Sequence, residues 1–352
     1  MKLINNLIIQ IIPFLPKFFV KIVASPYIAG ITDEEMLKNV QKLNNKGFKV
    51  AIDILGEHVE TEKEADEITQ RYISIYDEIS KRNLSANISI KLTHIGQDLG
   101  LNIVKNNLTQ LVQAAKKNNN FLRLDMENVP YTSETIQLYK EMFEHYDQIG
   151  IVIQAYLHRS LDDIKSLSDE KFNVRICKGI YVEDPKLVLK DYNDIRENYI
   201  RLVKEALNKG SYVGIATHDE FLIDNIYSWI IKNNISKDQY EFQVLHGVPM
   251  QKKLEMLMND GNTVRVYLPY GDNWYDYSVR RLKENPKMAG YIIKNLFLSI
   301  QSIKRMFSKL LNFFSKRSSS STTKMSFKFL SLRALSRLLP INPAPPVIII
   351  II

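Results

Sequence analysis

Between Glu57 and Tyr267, charged and amide side chains recur at the ends of short apolar runs. Glu57 follows the first run, Lys91 lies in the second, Asp125 and Glu127 close the third, and Gln154 closes the fourth. Arg175 and Lys178 belong to the fifth run, Thr217 and His218 to the sixth, Gln243 and His246 to the seventh, and Tyr267 to the eighth. A charge inside an apolar run is costly unless it meets a partner or a ligand. One such residue is explained by a structural ion pair. A polar group at every run points instead to a ring around a polar ligand. The ring has both signs: Lys91, Arg175 and Lys178 can neutralise an anion, while Asp125 and Glu127 can accept from a cation or a hydroxyl.

Several chemistries are disfavoured. His94, His218 and His246 have no carboxylate or second histidine at ligand spacing, so no metal set is expected. No Ser-His-Asp arrangement and no Gly-rich phosphate loop ending in Gly-Lys-Ser/Thr is present. An organic cofactor is then the economical source of reactivity. Beyond the eighth run, Arg280, Arg281 and Glu284 share a helix face at spacings of three and four. That face is either a surface ion-pair set or a paired-guanidinium clamp for a carboxylate, and spacing alone does not separate the two.

The elements that must carry these residues alternate. Strands are expected over Val50–Leu55, Ile88–Thr93, Phe121–Glu127, Ile149–Leu157, Val174–Tyr181, Tyr212–His218, Tyr240–Leu245 and Thr263–Pro269. Helical patterns cover Glu60–Arg82, Ile103–Asn118, Ser133–Tyr146, Asp191–Lys209 and Met250–Asn259. Near-continuous apolar strands indicate a parallel sheet covered on both faces. Eight repeats with no G-x-G-x-x-G after the first strand favour an α/β (βα)8 TIM-like barrel over an open doubly wound sheet. Helices before the barrel and a short extra helix after the eighth strand complete the expectation. Residues 1–45 are expected to form an N-terminal helical segment, 46–300 the barrel, and 301–352 a basic, low-complexity tail without fixed structure.

Composition agrees with a folded core: the 352 residues are 45% hydrophobic and 24% charged. The net charge of +8 gathers at the two ends, which suits an anionic surface rather than a nucleic-acid groove. The lone Cys177 cannot form an internal disulfide, so a reducing, cytoplasmic compartment is expected. Residues 1–19 imitate a secretory signal, but Pro13, Pro16 and Lys17 break the apolar run, and a basic amphipathic surface segment is the better reading.

The blocks Ile52-Asp53-Ile54-Leu55-Gly56-Glu57, Ser89-Ile90-Lys91-Leu92-Thr93, Leu124-Asp125-Met126-Glu127 and Ile153-Gln154-Ala155-Tyr156-Leu157 each resemble the proline dehydrogenase family. So do Arg175-Ile176-Cys177-Lys178-Gly179-Ile180-Tyr181, Ala216-Thr217-His218-Asp219 and Phe242-Gln243-Val244-Leu245-His246-Gly247. The stretch from Val266-Tyr267-Leu268-Pro269-Tyr270-Gly271 through Arg280-Arg281-Leu282-Lys283-Glu284 is the most specific. The resemblance runs in order from about Tyr27 to Phe297 and is to the short, monofunctional form.

The resemblance implies an FAD-dependent enzyme that oxidises L-proline to Δ1-pyrroline-5-carboxylate and passes electrons to membrane quinone. It assigns Arg280, Arg281 and Lys91 to the proline carboxylate, Tyr267 and Leu245 to the pyrrolidine ring, and Asp125 to orienting Lys91 and the amine. Arg175 would stabilise charge near the flavin N5. Met126, Gln154, Lys178, Gly179, Ile180, Thr217, His218, Gln243 and Glu284 would line the FAD, with Glu57 pairing with Arg280 and Tyr181 covering the substrate. Reaction through the deprotonated amine implies activity that rises with pH. Cys177, Ile180 and Val182 depart from the family's usual valine, alanine and tryptophan, at apolar or backbone-contact positions. The N-terminal segment is either a helical cap on the barrel or a peripheral contact on the inner face of the cell membrane. Two rivals stand beside this reading. One is a colourless Schiff-base aldolase using Lys91 or Lys178; the other is an inactive barrel that binds proline or lipid.

Overall fold

A computed structural model of the chain describes residues 27–167, 171–275 and 277–279. The chain divides into two units, Met1–Pro286 and Lys287–Ile352, and all described residues belong to the first. Helix α1 (Asp33–Asn44) opens at a capping box in which Thr32 Oγ1 accepts from Glu35 N–H at 3.2 Å and the Glu35 carboxylate accepts from Thr32 N–H at 3.3 Å. The segment before it runs beside the last strand, with Ala29 N–H donating to Pro269 O at 3.0 Å.

Eight parallel strands follow: β1 (Lys49–Ile54), β2 (Ala86–Ile90), β3 (Leu122–Leu124), β4 (Ile149–Gln154), β5 (Asn173–Cys177), β6 (Tyr212–Ala216), β7 (Tyr240–Leu245) and β8 (Val264–Tyr270). They pair in sequence order, and β8 returns to β1 over Lys49↔Arg265 to Ile54↔Tyr270, closing the barrel. The (βα)8 expectation holds. The outer layer comprises α2 (Glu62–Lys81), α3 (Leu101–Lys117), α4 (Val129–Phe143), α5 (Ser160–Ser166), α6 (Tyr192–Asn208), α7 (Glu220–Lys232) and α8 (Gln251–Asn259). Every residue of β2 and β4 is buried, as two-sided cover requires. After β8 the chain turns helical at Trp274, and the expected helix around Arg280 and Arg281 lies outside the described residues.

Strands β2 to β6 end several residues before their expected limits. Polar residues near the ends of these runs leave the ladder: Lys91, Asp125, Lys178, Thr217 and His218 lie in the loops that follow. The Ile88–Thr93 run stops because Thr93–Ile95 winds into a 3-10 turn. The loop after β5 returns over the loop after β4, where His158 N–H donates to Leu187 O at 3.0 Å and Leu189 N–H to Tyr156 O at 2.7 Å.

Candidate active site

Parallel strands in a barrel present alternate residues inward, and their carboxyl ends share one opening. A cavity of about 1070 Å³ lies there. Among the residues singled out above, Glu57, Lys91, Asp125, Met126, Gln154 and Arg175 line it, as do Lys178, Gly179, Ile180, Tyr181, Thr217 and His218. Gln243, Leu245 and Tyr267 close it from β7 and β8. Arg280, Arg281 and Glu284 lie outside the described residues, while Asn273 and Tyr277, shortly before them, line the cavity. Glu127 and His246 do not. Glu127 turns to the Thr93 turn, accepting from its N–H at 3.1 Å and its hydroxyl at 2.5 Å. Burial pushes the His246 imidazole down to about 4.

The deepest part is one hydrogen-bonded cluster. Arg175 Nη1 donates to Asp125 Oδ1 at 2.6 Å and to Ser89 Oγ at 3.1 Å, and its Nε donates to Gln243 Oε1 at 2.5 Å. Tyr267 donates its hydroxyl to Asp125 Oδ2 at 2.7 Å and lays its ring 5.1 Å from the Arg175 guanidinium carbon. Burial and the neighbouring Asp125 hold the Tyr267 phenol well above its ordinary value, so it stays protonated as a donor.

The resemblance gave Asp125 the orienting of Lys91, but the lysine's hydrogen bonds go to another acid. Lys91 donates to both oxygens of Asp53, at 3.1 Å each. Asp53, on the neighbouring strand β1 and only 2% exposed, is open to the lysine, whereas Asp125 has Oδ1 taken by Ser89 and Arg175 and Oδ2 by Tyr267. Burial raises Asp53 toward its neutral form. Burial also opposes the charge on Lys91, but Asp53, Asp125 and Glu127 outweigh it and hold the lysine above its ordinary value. Asp53 carried no role in the sequence reading, although an acid inside the run Val50–Leu55 was a signal of one.

At the rim, Asp219 gathers two cations: Lys178 Nζ donates to it at 2.6 Å and Arg196 at 2.8 Å through two nitrogens. Tyr192 donates to the same carboxylate at 2.7 Å and lies 4.3 Å from both Lys178 Nζ and the Arg196 guanidinium carbon. Arg196 and Tyr192 were missed because they begin helix α6, away from any strand end. Tyr181 donates to Glu57 Oε2 at 3.5 Å across the mouth. Leu245 N–H donates to His218 Nε2 at 2.9 Å, tying the loop after β6 to β7.

Among the described residues that line the cavity, two buried polar atoms lack a protein partner, Arg175 Nη2 and Gln154 Oε1. Gln154 spends its amide nitrogen on Met126 O and Glu127 O, at 2.9 and 3.1 Å. A spare donor and a spare acceptor in a partly apolar cavity suit a planar heterocycle with both functions at its edge. Gly179, with φ +102°, holds the wall open, since a Cβ there would lie 2.0 Å from the Tyr156 ring. Among the described residues no group of three metal-ligating side chains occurs, and no helix is long and apolar enough to cross a membrane.

Residues 36–292 match the family model described as proline dehydrogenase. The chain is 33% identical over 276 residues to "Proline dehydrogenase 2" of Bacillus subtilis strain 168, covering 78% of this chain and 91% of that one. It is 34% identical over 284 residues to the proline dehydrogenase of Deinococcus radiodurans, covering 78% and 89%. In structure it resembles proline utilization A (PutA) from Bdellovibrio bacteriovorus inactivated by N-propargylglycine, with a TM-score of 0.70 and 26% identity. That likeness covers 75% of this chain and only 33% of the larger protein. With a matched barrel, an extended match to single-function relatives, and a cavity ringed by the residues that carried the resemblance, the chain belongs to the proline dehydrogenase family, oxidoreductases acting on proline.

Proposed function

We propose that the cavity binds FAD and L-proline and produces Δ1-pyrroline-5-carboxylate, with membrane quinone as the final electron acceptor. The carrying observation is the buried Arg175–Asp125–Tyr267 cluster beside the spare Arg175 Nη2 and Gln154 Oε1. Gln154, Gln243, Met126, Gly179 and Ile180 would hold the ring system. Lys178, Thr217, His218 and the rim cations would hold the phosphates and ribose, with Glu284 at the ribityl chain. FAD, when bound, supplies the acceptor for the two electrons and hydrogen that leave the ring carbon beside the proline nitrogen.

The chain's own residues do the rest. Lys91, Arg280 and Arg281 anchor the proline carboxylate, and Asp53 keeps Lys91 charged and aimed. Tyr267 and Leu245 pack on the saturated ring, leaving little room for larger amino acids. Asp125 fixes both Arg175 and Tyr267, so donors are ordered before substrate arrives. Closure of Glu57 and Tyr181 over the mouth excludes water. The nitrogen lone pair forms the C=N bond as the hydride leaves, so the amine must arrive deprotonated and turnover rises with pH. Peripheral contact of the basic N-terminal segment with the cell membrane would bring the site to quinone. A visible spectrum of the purified protein, before and after anaerobic proline, is the test. Flavin bands that bleach with proline support the reading. A colourless protein, or flavin that proline leaves oxidised, would overturn it.

A further inference from the structure

Below the cluster, the barrel floor carries a third buried charge pair, one that the reaction does not use. Arg265 on β8 donates to Glu241 on β7 through Nε at 2.6 Å and Nη2 at 2.9 Å, and its Nη1 is spent on Asn87 at 2.6 Å and Val50 O at 3.1 Å. Tyr212 also donates to Glu241, at 2.9 Å. Two residues further along β7, on the same face, Gln243 bridges this pair to the site. Its Nε2 donates to Glu241 Oε1 at 2.6 Å, and its Oε1 accepts from Arg175 Nε at 2.5 Å.

We propose that Glu241 is a positioning residue for Arg175, acting through the Gln243 amide to decide which guanidinium N–H is left for the site. An ionised carboxylate only accepts and a guanidinium only donates. Between them the amide has one satisfied orientation; turned over, it would set oxygen against carboxylate and NH2 against guanidinium. Arg265, Tyr212 and Gln243 together hold Glu241 at about 2 against the opposing cost of its burial, so it is ionised whenever the protein is folded near neutral pH. Gly214 makes the space: it lies in register with Arg175 on one side and Glu241 on the other, and a Cβ there would fall 2.5 Å from Gln243 Nε2. With Nε on Gln243 and Nη1 on Asp125 and Ser89, the guanidinium plane is fixed and Nη2 is its one unspent nitrogen.

This inference rests on the proposed flavin site. It is tested with full-length holoenzyme carrying Glu241→Gln, which lets the Gln243 amide turn over, and separately Gly214→Ala, which crowds that amide and leaves the Arg265–Glu241 pair intact. Both should keep flavin at the wild-type ratio and the proline KM within about twofold, because neither touches the carboxylate anchor. Flavin reduction by proline should slow at least about tenfold, and the flavin midpoint potential should move to more negative values, since the spare donor no longer faces the reduced ring. A purely structural floor would lower stability and leave potential and reduction rate unchanged, and that result would overturn the proposal. If Glu241→Gln does not fold, Gly214→Ala decides by the same readouts. An assay without flavin separates this failure from failure of the flavin reading: the 15N-resolved Arg175 Nε–H should exchange slowly in wild type and quickly in both variants. Equal exchange in all three defeats the relay whatever the cofactor.

Discussion

Arg175 on β5 and Asp125, just beyond β3, meet at 2.6 Å across the intervening strand β4. Tyr267 from β8 reaches the same carboxylate at 2.7 Å, so one acid ties three separate parts of the barrel together. The pair is almost dry, with side chains 7% and 12% exposed. At such burial the attraction offsets a large desolvation cost, and removal of one partner is far worse than removal of both.

Asp125→Asn keeps the shape and removes the charge. The guanidinium loses its counter-ion, and the NH2 of the new amide side chain opposes either Arg175 or the Tyr267 hydroxyl proton. The expected outcome is a fall in flavin reduction rate of at least about tenfold, which is about 1.4 kcal/mol, with FAD retained. Rapid-mixing reduction by proline checks it. A rate unchanged from wild type would remove Asp125 from the site.

Lys91 and Asp53 make a separable pair. Lys91→Met strands a buried acid, for which breaking an ion pair costs about 3–5 kcal/mol, and it also removes a cation from the proline carboxylate. The double variant Asp53→Asn with Lys91→Met should regain most of the stability and none of the affinity. Urea unfolding and proline KM measured on both variants test the split. Recovery of KM in the double variant would show that Lys91 serves only Asp53.

For Arg280→Met and Arg281→Met the expectation is a raised proline KM, at least about tenfold in each, or about 1.4 kcal/mol of binding. Steady-state kinetics at fixed pH measures it. Unchanged KM in both would leave the even choice between clamp and surface ion pair resolved for the surface.

The eight strands and their order were legible because two-sided burial writes itself as apolar runs. The strand ends were not, because apolar residues such as Leu92, Met126 and Ile180 continue the runs after the ladder has ended. The barrel floor was hidden for a related reason. Arg123, Glu241 and Arg265 lie two residues before Asp125, Gln243 and Tyr267, so the period of two places each directly beneath a site residue. Helix α7 went unnamed because Phe221, Ile223, Ile226, Tyr227, Trp229, Ile230 and Ile231 crowd it with aromatic and β-branched residues, which blurs the helical period.

His94 gives the fold an acid limit. Desolvation, with help from the Lys91 and Arg71 charges, pushes its imidazole down to about 3, so the folded protein refuses a proton that the unfolded chain accepts below about 6.5. Between those values the unfolded state binds more protons, and stability falls as pH falls. The loss should reach roughly 2 kcal/mol at pH 5 relative to neutral pH. Urea midpoints from pH 7 to pH 5 test it, with His94→Gln as the control that should flatten the slope. An equal slope in the variant would assign the acid limit to other groups.

Gly179→Ala tests whether the cavity wall, rather than any charge, admits the cofactor. Gly179 follows Lys178 at a φ of +102°, where a Cβ is strained, and that Cβ would meet the Tyr156 ring at 2.0 to 2.6 Å. The ring cannot retreat freely, because Tyr156 is buried and its backbone is held by Lys178 O at 2.8 Å and by Leu189 N–H at 2.7 Å. The strain must therefore move the loop that carries Lys178, Ile180 and Tyr181, three residues of one wall. Substitution should cost about 1–3 kcal/mol locally and appear mainly as lost flavin, with the barrel intact by circular dichroism. Flavin-to-protein ratio after gel filtration is the measurement. A fully loaded Gly179→Ala protein with normal flavin reduction by proline would show that the wall yields, and that the glycine serves the turn alone.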